Sequence, residues 1–506
     1  MRKPLFVRRV EKSSLSRANT QLFKAVYRKM AKPNGKFIFL LFLCKNTFSC
    51  IFNRKWAFMQ HLPDNIIIII ADSLRYKTVT SATTPTPYLN NNSYNFTQAR
   101  SAGCWTLPAT ASLFTGLSPH QHGATSQTRS INKDIPTIAE LLKNNGYSTH
   151  QVTANIATTE IFGLHRGFDE VVKIWTTVKP KFKKMQQFLV LVGKPRLRKK
   201  LFSKDFLMAK MSEDLEMAKA WMQQMIHDSF NTAKSIIQRN ELKNKKSFIF
   251  INLMETHFPY HISPVFKFST PGLFEKFAEA KQLFHLANQT FLTDNKHHTK
   301  TKQLKKIENR QLTSYNIIAE TIDAFVAEQH QNKNNFVVFG GDHGEAFGEQ
   351  NWLYHFSNVT DGGNHVPLFI LPPGKNESTI VKQKVSTKHL FHTILKFLAI
   401  NTNGPSLINE PDDATAVLES FWYNNKGKTL PQFRHNQFCF IQNNIRYRFF
   451  NNAWYTAPIS KENKEPHFEK IKDKGINAIN EFVTYHTEKE KLNRLFEEFR
   501  IFSTKI

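Results

Sequence analysis

Two groups of residues with metal-binding chemistry follow apolar runs that lie far apart in the sequence. Asp72 directly follows the run at residues 66–71. Asp342 and His343 end a second run, at residues 335–340, after one intervening glycine. Runs of apolar, mostly β-branched residues are typical of buried parallel strands, and the carboxyl ends of such strands form the edge where α/β sheets bind ligands. Because carboxylate and imidazole together suit Zn, Mn, Mg or Ca, the two groups predict a divalent metal site at that edge; the alternative is simple turn chemistry.

A third segment, residues 101–123, lies between the two groups and contains Thr106 and Pro108. Supporting segments occur in a consistent order: Gly146-Tyr147-Ser148-Thr149, Gly167-Phe168-Asp169-Glu170, Met254-Glu255-Thr256-His257-Phe258-Pro259-Tyr260 and Val366-Pro367-Leu368-Phe369-Ile370. From about residue 65 to residue 400 the chain resembles the sulfatase and phosphoethanolamine/phosphoglycerol transferase branch of the alkaline-phosphatase superfamily. The resemblance implies an α/β fold with a central, mostly parallel sheet flanked by helices, followed by a small C-terminal α+β subdomain.

The nucleophile of this family occupies a fixed position before a Leu-Thr-Gly-like sequence. Counting back from Thr115 and Gly116, the resemblance places that position at Thr106. Sulfatases carry Cys-x-Pro-x-Arg there and convert the Cys to formylglycine. Cys104 does not fit this pattern, because the residue two positions later is Thr106 rather than Pro, so no formylglycine is expected. Thr at this position resembles the transferases, which use the hydroxyl for covalent phosphoryl chemistry, and a bound metal can activate it.

Another interpretation of Thr106 is that it only N-caps the helix predicted at residues 108–116, since Pro108 suits a helix start. Both roles are compatible, because a nucleophile at a helix N-terminus gains stabilisation of developing negative charge from the helix dipole.

Two departures from the sulfatase pattern disfavour an arylsulfatase. Sulfatases follow Gly-Tyr-x-Thr with Gly-Lys-Trp-His, whose Lys and His contact the substrate anion. Here Ala154 and Ile156 stand at those two positions. The second acid that usually follows the first metal-binding Asp is also replaced, by Ser73. A calcium site built from several carboxylates is therefore not expected.

The resemblance implies one divalent ion (Mn, Zn, Mg or Ca) and leaves a second ion open. We expect its ligands to be the side chains of Asp72, Thr106, Asp342 and His343.

The remaining candidates for the catalytic machinery are histidines. His257 follows the apolar run at residues 247–253, and His355 lies twelve residues after His343, a spacing similar to that in the phosphoethanolamine transferases and phosphonate monoester hydrolases. The resemblance makes both residues substrate-phosphate contacts or ligands of a second, weaker metal. For each, the alternative is a surface hydrogen bonder. His122 is predicted to be structural.

The net charge of +29 in 506 residues is concentrated in two blocks. Residues 1–60 contain 14 Lys and Arg against one Glu, and residues 171–210 contain 12 against one Asp. The first block is a basic N-terminal extension that either contacts an anionic membrane peripherally or has no fixed structure. The second is an insertion in the catalytic domain expected at residues 61–400. Residues 401–506 would form the C-terminal subdomain.

The chain outside these blocks is close to neutral, so nucleic-acid binding is not expected. The best apolar run of the extension has eight residues, far short of the ~20 needed to span a bilayer. Four cysteines without a Cys-x-x-Cys pair give no disulfide framework and suit a reducing compartment, which favours a cytoplasmic protein, peripheral to the inner membrane if the extension binds lipid.

Three functions remain open from the sequence. The first is a metal-dependent sulfatase-family hydrolase or transferase that acts on a phosphate ester through a phospho-threonine at Thr106. Its substrate would be an anionic small molecule, lipid or glycan, and by resemblance a phospho-substituent from bacterial envelope synthesis. The second is a sulfuric ester hydrolase without formylglycine. The third is a catalytically silent basic protein that binds a membrane or a polyanion.

Overall fold

The structure is a computed structural model, and it describes residues 62–126, 128–174, 214–258, 260, 301–331, 334–349, 353–355, 358–408, 417–420, 437–442, 445–450, 453–458 and 469–470. The predicted basic extension, most of the basic insertion and a helix predicted at residues 488–499 lie outside this part of the chain. The division into residues 1–60, 61–400 and 401–506 stays a prediction.

The strands are β1 Asn65–Ala71, β2 Tyr94–Phe96, β3 Ala99–Arg100, β4 Tyr147–Thr153, β5 Glu170–Lys173, β6 Lys246–Leu253, β7 Asn335–Gly341, β8 Ala346–Phe347, β9 Leu353–Tyr354, β10 Leu368–Leu371, β11 Thr379–Val381, β12 Val385–Ser386, β13 Val417–Ser420, β14 Gln437–Gln442, β15 Ile445–Phe450, β16 Ala453–Pro458 and β17 Glu469–Lys470. The α-helices are α1 Tyr76–Thr80, α2 Pro87–Asn92, α3 Thr106–Thr115, α4 Pro119–His122, α5 Ile138–Asn144, α6 Asp214–Glu241, α7 Thr301–His330, α8 Asp361–Asn364 and α9 Leu390–Phe397. Short 3-10 helices are at Ile156–Thr158, Glu160–Phe162 and Thr387–His389.

The centre of the fold is an eight-stranded sheet in the order β11-β2-β10-β7-β1-β6-β4-β5. The five strands from β7 to β5 run parallel, and β10 is antiparallel to both of its neighbours. Helices flank this sheet, so the predicted α/β class with a mostly parallel sheet is confirmed. The isoleucine run of β1 is buried along its whole length, as expected for a strand covered on both faces.

The two faces of the sheet are covered by different helices. Ile249 and Ile251 of β6 belong to a core cluster with apolar residues of α6 and α7. Alternate residues of a strand face opposite sides of the sheet. Phe250 accordingly contacts Phe114 of α3, with ring centroids 4.9 Å apart. The helix α3 is therefore fixed on the sheet by core packing, and all ten of its residues are buried.

Helix boundaries differ from the sequence predictions. The helix expected at residues 108–116 begins at Thr106, because Pro108 is tolerated in the first turn, where its missing N–H leaves no helical hydrogen bond unmade. Helix α7, described from Thr301 to His330, contains the helix that the sequence predicts at residues 310–330. In the described part of the chain, no helix combines the length and the apolar character needed to cross a membrane.

The C-terminal segment contributes a second sheet, of five antiparallel strands in the order β13-β14-β15-β16-β17. A partly buried ionic contact joins it to the catalytic part. Asp361 accepts a hydrogen bond from Arg100 Nε at 2.9 Å and also pairs with Arg446 of β15. Burial alone would raise the pKa of Asp361, but the two guanidinium groups hold it well below its usual value.

Candidate active site and metal centre

The carboxyl ends of β1 and β7 place two acidic side chains next to each other. These strands are parallel neighbours in register, with Ala71 opposite Gly341, so Asp72 and Asp342 leave the sheet at the same level. Ligand atoms of Asp72, Asp342 and His343 all lie within 4.8 Å of one another, and all three residues are completely buried. The structure therefore brings together three of the four predicted metal ligands.

Backbone groups fix the orientation of Asp342. Its Oδ1 accepts hydrogen bonds from the backbone N–H groups of His343 at 2.8 Å and Ser73 at 3.1 Å. Ser73 adopts a left-handed backbone (φ 60°), an uncommon conformation for a non-glycine residue, and this conformation accompanies its N–H bond to Asp342. The other oxygen, Oδ2, is buried and has no hydrogen-bond partner among the described residues.

The ring of His343 presents a lone pair to the two carboxylates. Its Nδ1 lies 2.8 Å from the carbonyl oxygen of Gly344, so Nδ1 carries the proton in the neutral ring and donates it. Nε2 is then an acceptor, 3.6 Å from Asp72 Oδ1 and 3.5 Å from Asp342 Oδ2. These three acceptors face each other, and such a donor set fits a divalent cation; Asp72 Oδ1 also accepts a hydrogen bond from Ser73 Oγ at 3.2 Å.

The pKa shifts of Asp72, Asp342 and His343 are those expected where two buried carboxylates and a neutral imidazole share a cation site. Burial, and then the neighbouring charge of Asp72, raise the pKa of Asp342 well above its ordinary value. Burial would also raise the pKa of Asp72, but His257, His343 and His355 together lower it below its usual range. Burial lowers the pKa of His343, which favours the neutral ring that a metal requires.

The raised pKa of Asp342 has a consequence for stability without metal. The folded chain holds the Asp342 proton more tightly than the unfolded chain, so stability of the metal-free protein falls as pH rises above the ordinary pKa of 3.8. Asp342→Asn removes this cost and keeps an oxygen for the two backbone donors. We expect it to stabilise the EDTA-treated protein at neutral pH by about 0.5–2 kcal/mol. Thermal unfolding at pH 7.5 and at pH 4.5 tests this: an unchanged or lower Tm at pH 7.5 would contradict it.

Thr106 lies at the start of α3, against the same site. Its Oγ1 donates to Asp72 Oδ2 at 3.3 Å and lies 3.5 Å from His343 Nε2. The interpretation of Thr106 as an N-cap is wrong, because Trp105 occupies the N-cap position and Thr106 is already helical. Its hydroxyl is thus directed at the acidic site and lies at the positive end of the helix dipole.

Asn155 is a site residue that the sequence analysis missed. Its Nδ2 donates to Asp72 Oδ2 at 2.6 Å and lies 3.5 Å from Thr106 Oγ1. The backbone N–H of Ala157 donates to Asn155 Oδ1 at 2.7 Å, which fixes the direction of the amide. The signal was its place between Ala154 and Ile156, the two positions at which a Lys and a His were sought.

The two remaining histidines also converge on the site. His257 Nε2 lies 4.0 Å from Asp72 Oδ1, and the ring centroid of His355 lies 4.6 Å from that of His343 and 5.2 Å from that of His257. The sequence analysis gave no role to the partner of His355: Glu345, completely buried, lies with Oε1 2.7 Å from His355 Nδ1. The only signal was its place directly after the Asp-His-Gly segment.

His122 makes structural contacts behind α3. Its Nδ1 accepts from the backbone N–H of Ala124 at 3.0 Å, and Nε2 lies 3.0 Å from Ser112 Oγ of α3. Burial lowers the pKa of His122 to about 3, so the ring is neutral. This geometry agrees with the predicted structural role.

Arg75 pairs with acidic side chains rather than with the site. Its guanidinium lies 2.6 Å from Glu349 Oε1 and 3.6 Å from Glu308 Oε1.

Comparisons with solved structures agree with the overall fold. The solved phosphonate monoester hydrolase SpPMH from Silicibacter pomeroyi is similar with a TM-score of 0.56 at 16% identity, over 86% of this chain and 95% of that one. The phosphonate monoester hydrolase of Agrobacterium radiobacter has a TM-score of 0.56 and 16% sequence identity, over 86% of this chain and 96% of that one. A putative sulfatase from Bacteroides thetaiotaomicron has a TM-score of 0.51 and 15% sequence identity, over 88% of this chain and 93% of that one. At these identities the likeness shows the fold, which is alkaline-phosphatase-like.

Sequence comparison gives the family. No curated protein matches the sequence significantly. The sulfatase family model matches residues 64–400, which is more than half of the chain and includes Asp72, Thr106, Asp342 and His343. The chain therefore belongs to the sulfatase family, a family of hydrolases.

Proposed function

We propose that this protein is a metal-dependent enzyme that hydrolyses or transfers a phosphate ester through a covalent phospho-threonine at Thr106. The observation that carries the proposal is the position of the Thr106 hydroxyl, within 3.3 Å of Asp72 and 3.5 Å of His343 at the start of a buried helix. A hydroxyl needs activation to attack phosphorus at neutral pH. The acidic cluster beside it is the place where such activation would arise.

The metal would be held by Asp72, Asp342 and His343, with the Thr106 oxygen beside them. A divalent ion bound there would stabilise the negative charge that develops on the attacking and phosphoryl oxygens. Its identity, among Mn, Zn, Mg and Ca, is left open. The unpartnered Asp342 Oδ2 and the Nε2 lone pair of His343 are the donor atoms that support this assignment.

The covalent step transfers the phosphoryl group from the substrate to the Thr106 oxygen. Thr106 Oγ attacks phosphorus and loses its proton, for which Asp72 Oδ2 is the nearest acceptor. The bond from phosphorus to the leaving oxygen breaks, and that oxygen takes a proton from the imidazolium of His257 or His355. Water or an acceptor hydroxyl then attacks phosphorus and gives its proton to the now neutral imidazole. The P–O bond to Thr106 breaks, and Thr106 Oγ takes back the proton held by Asp72. The amide of Asn155 holds Asp72 in place throughout.

A sulfuric ester hydrolase without formylglycine is the alternative within the family. The neutral side chains of Ala154 and Ile156 count against it, because sulfatases place a Lys and a His there to contact the substrate anion. Paired assays decide between the two. Protein loaded separately with Mn, Zn, Mg or Ca should hydrolyse bis(p-nitrophenyl) phosphate faster than p-nitrophenyl sulfate. Faster turnover of the sulfate with every metal would overturn the proposal.

The substrate is proposed to be an anionic small molecule, lipid or glycan. A cytoplasmic location, with peripheral contact to an anionic membrane through residues 1–60, is part of the same proposal. A silent polyanion-binding protein would instead show no turnover with either ester in the paired assays.

His257 and His355 are expected to act on the substrate rather than on the metal. Replacing either with Ala should leave the metal bound and lower kcat by about 10²–10⁴-fold, because general acid help and contacts to phosphoryl oxygens would be lost. Metal content and kcat measured on the same samples test this. Loss of metal from His355→Ala would make His355 a ligand, and wild-type turnover of His257→Ala would make His257 a surface hydrogen bonder.

Cys104 is expected to be dispensable. The residue is buried in the segment just before α3, and it forms no disulfide within the part of the chain that the structure describes. Cys104→Ser should keep kcat/KM within about threefold of the wild type, a factor equivalent to well under 1 kcal/mol. Mass spectrometry should find an unmodified Cys104 in the active wild type. Formylglycine at this position, or loss of turnover in a folded Cys104→Ser protein that retains metal, would show that Cys104 is the nucleophile.

A further inference from the structure

Two exposed isoleucines lie close together in the sequence beside the site. Ile156 is 58% exposed and Ile161 is 55% exposed. Within the described residues, only two other large apolar side chains are comparably exposed: Leu242, just after α6, and Ile380, on the edge strand β11. Single exposed apolar residues are normal on protein surfaces, whereas a group of them marks a binding site.

Aromatic residues extend the pair towards the nucleophile. The rings of Trp105 and Phe162 are edge to face, with centroids 6.1 Å apart. Trp105 is the residue before Thr106, and Phe162 is the residue after Ile161. We name the set of Trp105, Ile156, Ile161 and Phe162 the apolar lip.

The apolar lip adjoins residues of the catalytic site along the chain. Ile156 directly follows Asn155, whose side chain is buried and bonds to Asp72 at 2.6 Å. Consecutive residues of the chain thus contribute a buried polar side chain to the site, which with Asp72 we call its polar floor, and an exposed apolar side chain to the lip. The nearest acidic group in the lip segment, Glu160, is paired with Lys173. The charge of Glu160 is therefore neutralised by Lys173, and the lip itself consists of apolar side chains.

We propose that the apolar lip binds an apolar ester substituent, an alkyl chain or aryl ring, carried by the phosphorus of the substrate. This inference rests on the proposed function, because it assumes that the phosphoryl group lies at Thr106. A phosphoryl group held by the polar floor would direct one substituent across Trp105 and Ile156. The substrate class is then an amphiphilic phosphate ester rather than a fully hydrophilic sugar phosphate.

Alkylphosphonates test the lip without turnover, because they carry one substituent and no leaving group. Binding of methyl-, butyl- and octylphosphonate to the metal-loaded protein is measured by calorimetry below their aggregation concentrations. Each methylene that the lip removes from water should tighten binding by about two- to fourfold, so octylphosphonate should bind at least about tenfold more tightly than methylphosphonate. In Ile156→Ser and Ile161→Ser this gain should shrink, whereas the equally exposed Ile380→Ser should keep it.

The outcomes separate this inference from the proposed function. Equal affinity for all three phosphonates in the wild type, with turnover of bis(p-nitrophenyl) phosphate intact, overturns the lip alone. Absence of any phosphonate binding together with absence of phosphodiester turnover overturns both. Equal phosphonate affinities with a loss of phosphatidylcholine-vesicle binding in Ile156→Ser would make the lip a membrane contact and also overturn it. Because Ile156 and Ile161 are largely exposed, both serine variants should fold, which circular dichroism verifies.

Discussion

Thr106→Ala is expected to lower kcat by about 10⁴–10⁶-fold while the protein retains its divalent ion. The estimate follows from other covalent enzymes, in which loss of the nucleophile removes most of the rate enhancement. The metal should stay bound, because Asp72, Asp342 and His343 remain. Asp72 keeps its hydrogen bond from Asn155, and backbone groups still orient Asp342 and His343. Thr106→Ser keeps a hydroxyl at the same position and should recover a measurable part of the activity.

Thr115→Ala is the matched control for that variant. Thr115 lies at the other end of α3, and its hydroxyl bonds to the backbone oxygen of Ala111 in the same helix at 2.7 Å. Its loss should therefore affect stability slightly and turnover little. Single-turnover and steady-state rates with bis(p-nitrophenyl) phosphate measure the effect. If Thr106→Ala turned over within tenfold of the wild type, a water molecule rather than Thr106 would be the nucleophile.

His343→Ala is expected to abolish both metal retention and turnover. The lost Nε2 is one of three donor groups that converge within 4.8 Å, and the remaining buried carboxylates would repel each other without a cation. Removing a residue that only hydrogen-bonds to a metal ligand typically lowers metal affinity by about 10–100-fold. Removing the ligand His343 itself should lower metal affinity by more than that. Dialysis followed by elemental analysis, with kcat/KM on the same samples, gives both quantities.

His330→Asn is a suitable control, because His330 is buried but lies at the opposite edge of the sheet. It ends α7 before β7 begins, and its Nε2 lies 2.9 Å from the carbonyl oxygen of Pro372. It should lose some stability and keep its metal. Full metal content in a folded His343→Ala protein would contradict the ligand assignment.

The parallel strands at the site were predictable because their sequences have one physical explanation. Five successive isoleucines are typical of a strand that is buried on both faces, and β1 is such a strand. Parallel neighbours end at the same edge, so Asp72 and Asp342 had to meet once β1 and β7 paired. Short aromatic runs at residues 438–441, 447–451 and 453–456 likewise predict antiparallel strands, and β14, β15 and β16 lie there.

The polar residues that orient the site were not predictable in the same way. Asn155 reaches Asp72 across 83 positions of sequence, and Glu345 reaches His355 across ten. Neither belongs to a periodic pattern, and an Asn or a Glu in a loop is most often a surface residue. Their roles depend on the folded positions of β4 and β7, which only the structure gives. The start of α3 was missed because Pro108 could lie at any position of a first turn.

The central claim is that substrate phosphorus becomes attached to Thr106, and rapid-quench mass spectrometry tests it most directly. Metal-loaded protein is mixed with bis(p-nitrophenyl) phosphate, quenched in acid within one turnover, and analysed intact and as peptides. We predict one phosphoryl ester per chain, on the peptide that contains Thr106, absent from Thr106→Ala and from EDTA-treated protein. An adduct on another residue, or full turnover with no adduct at any quench time, would contradict the covalent phospho-threonine.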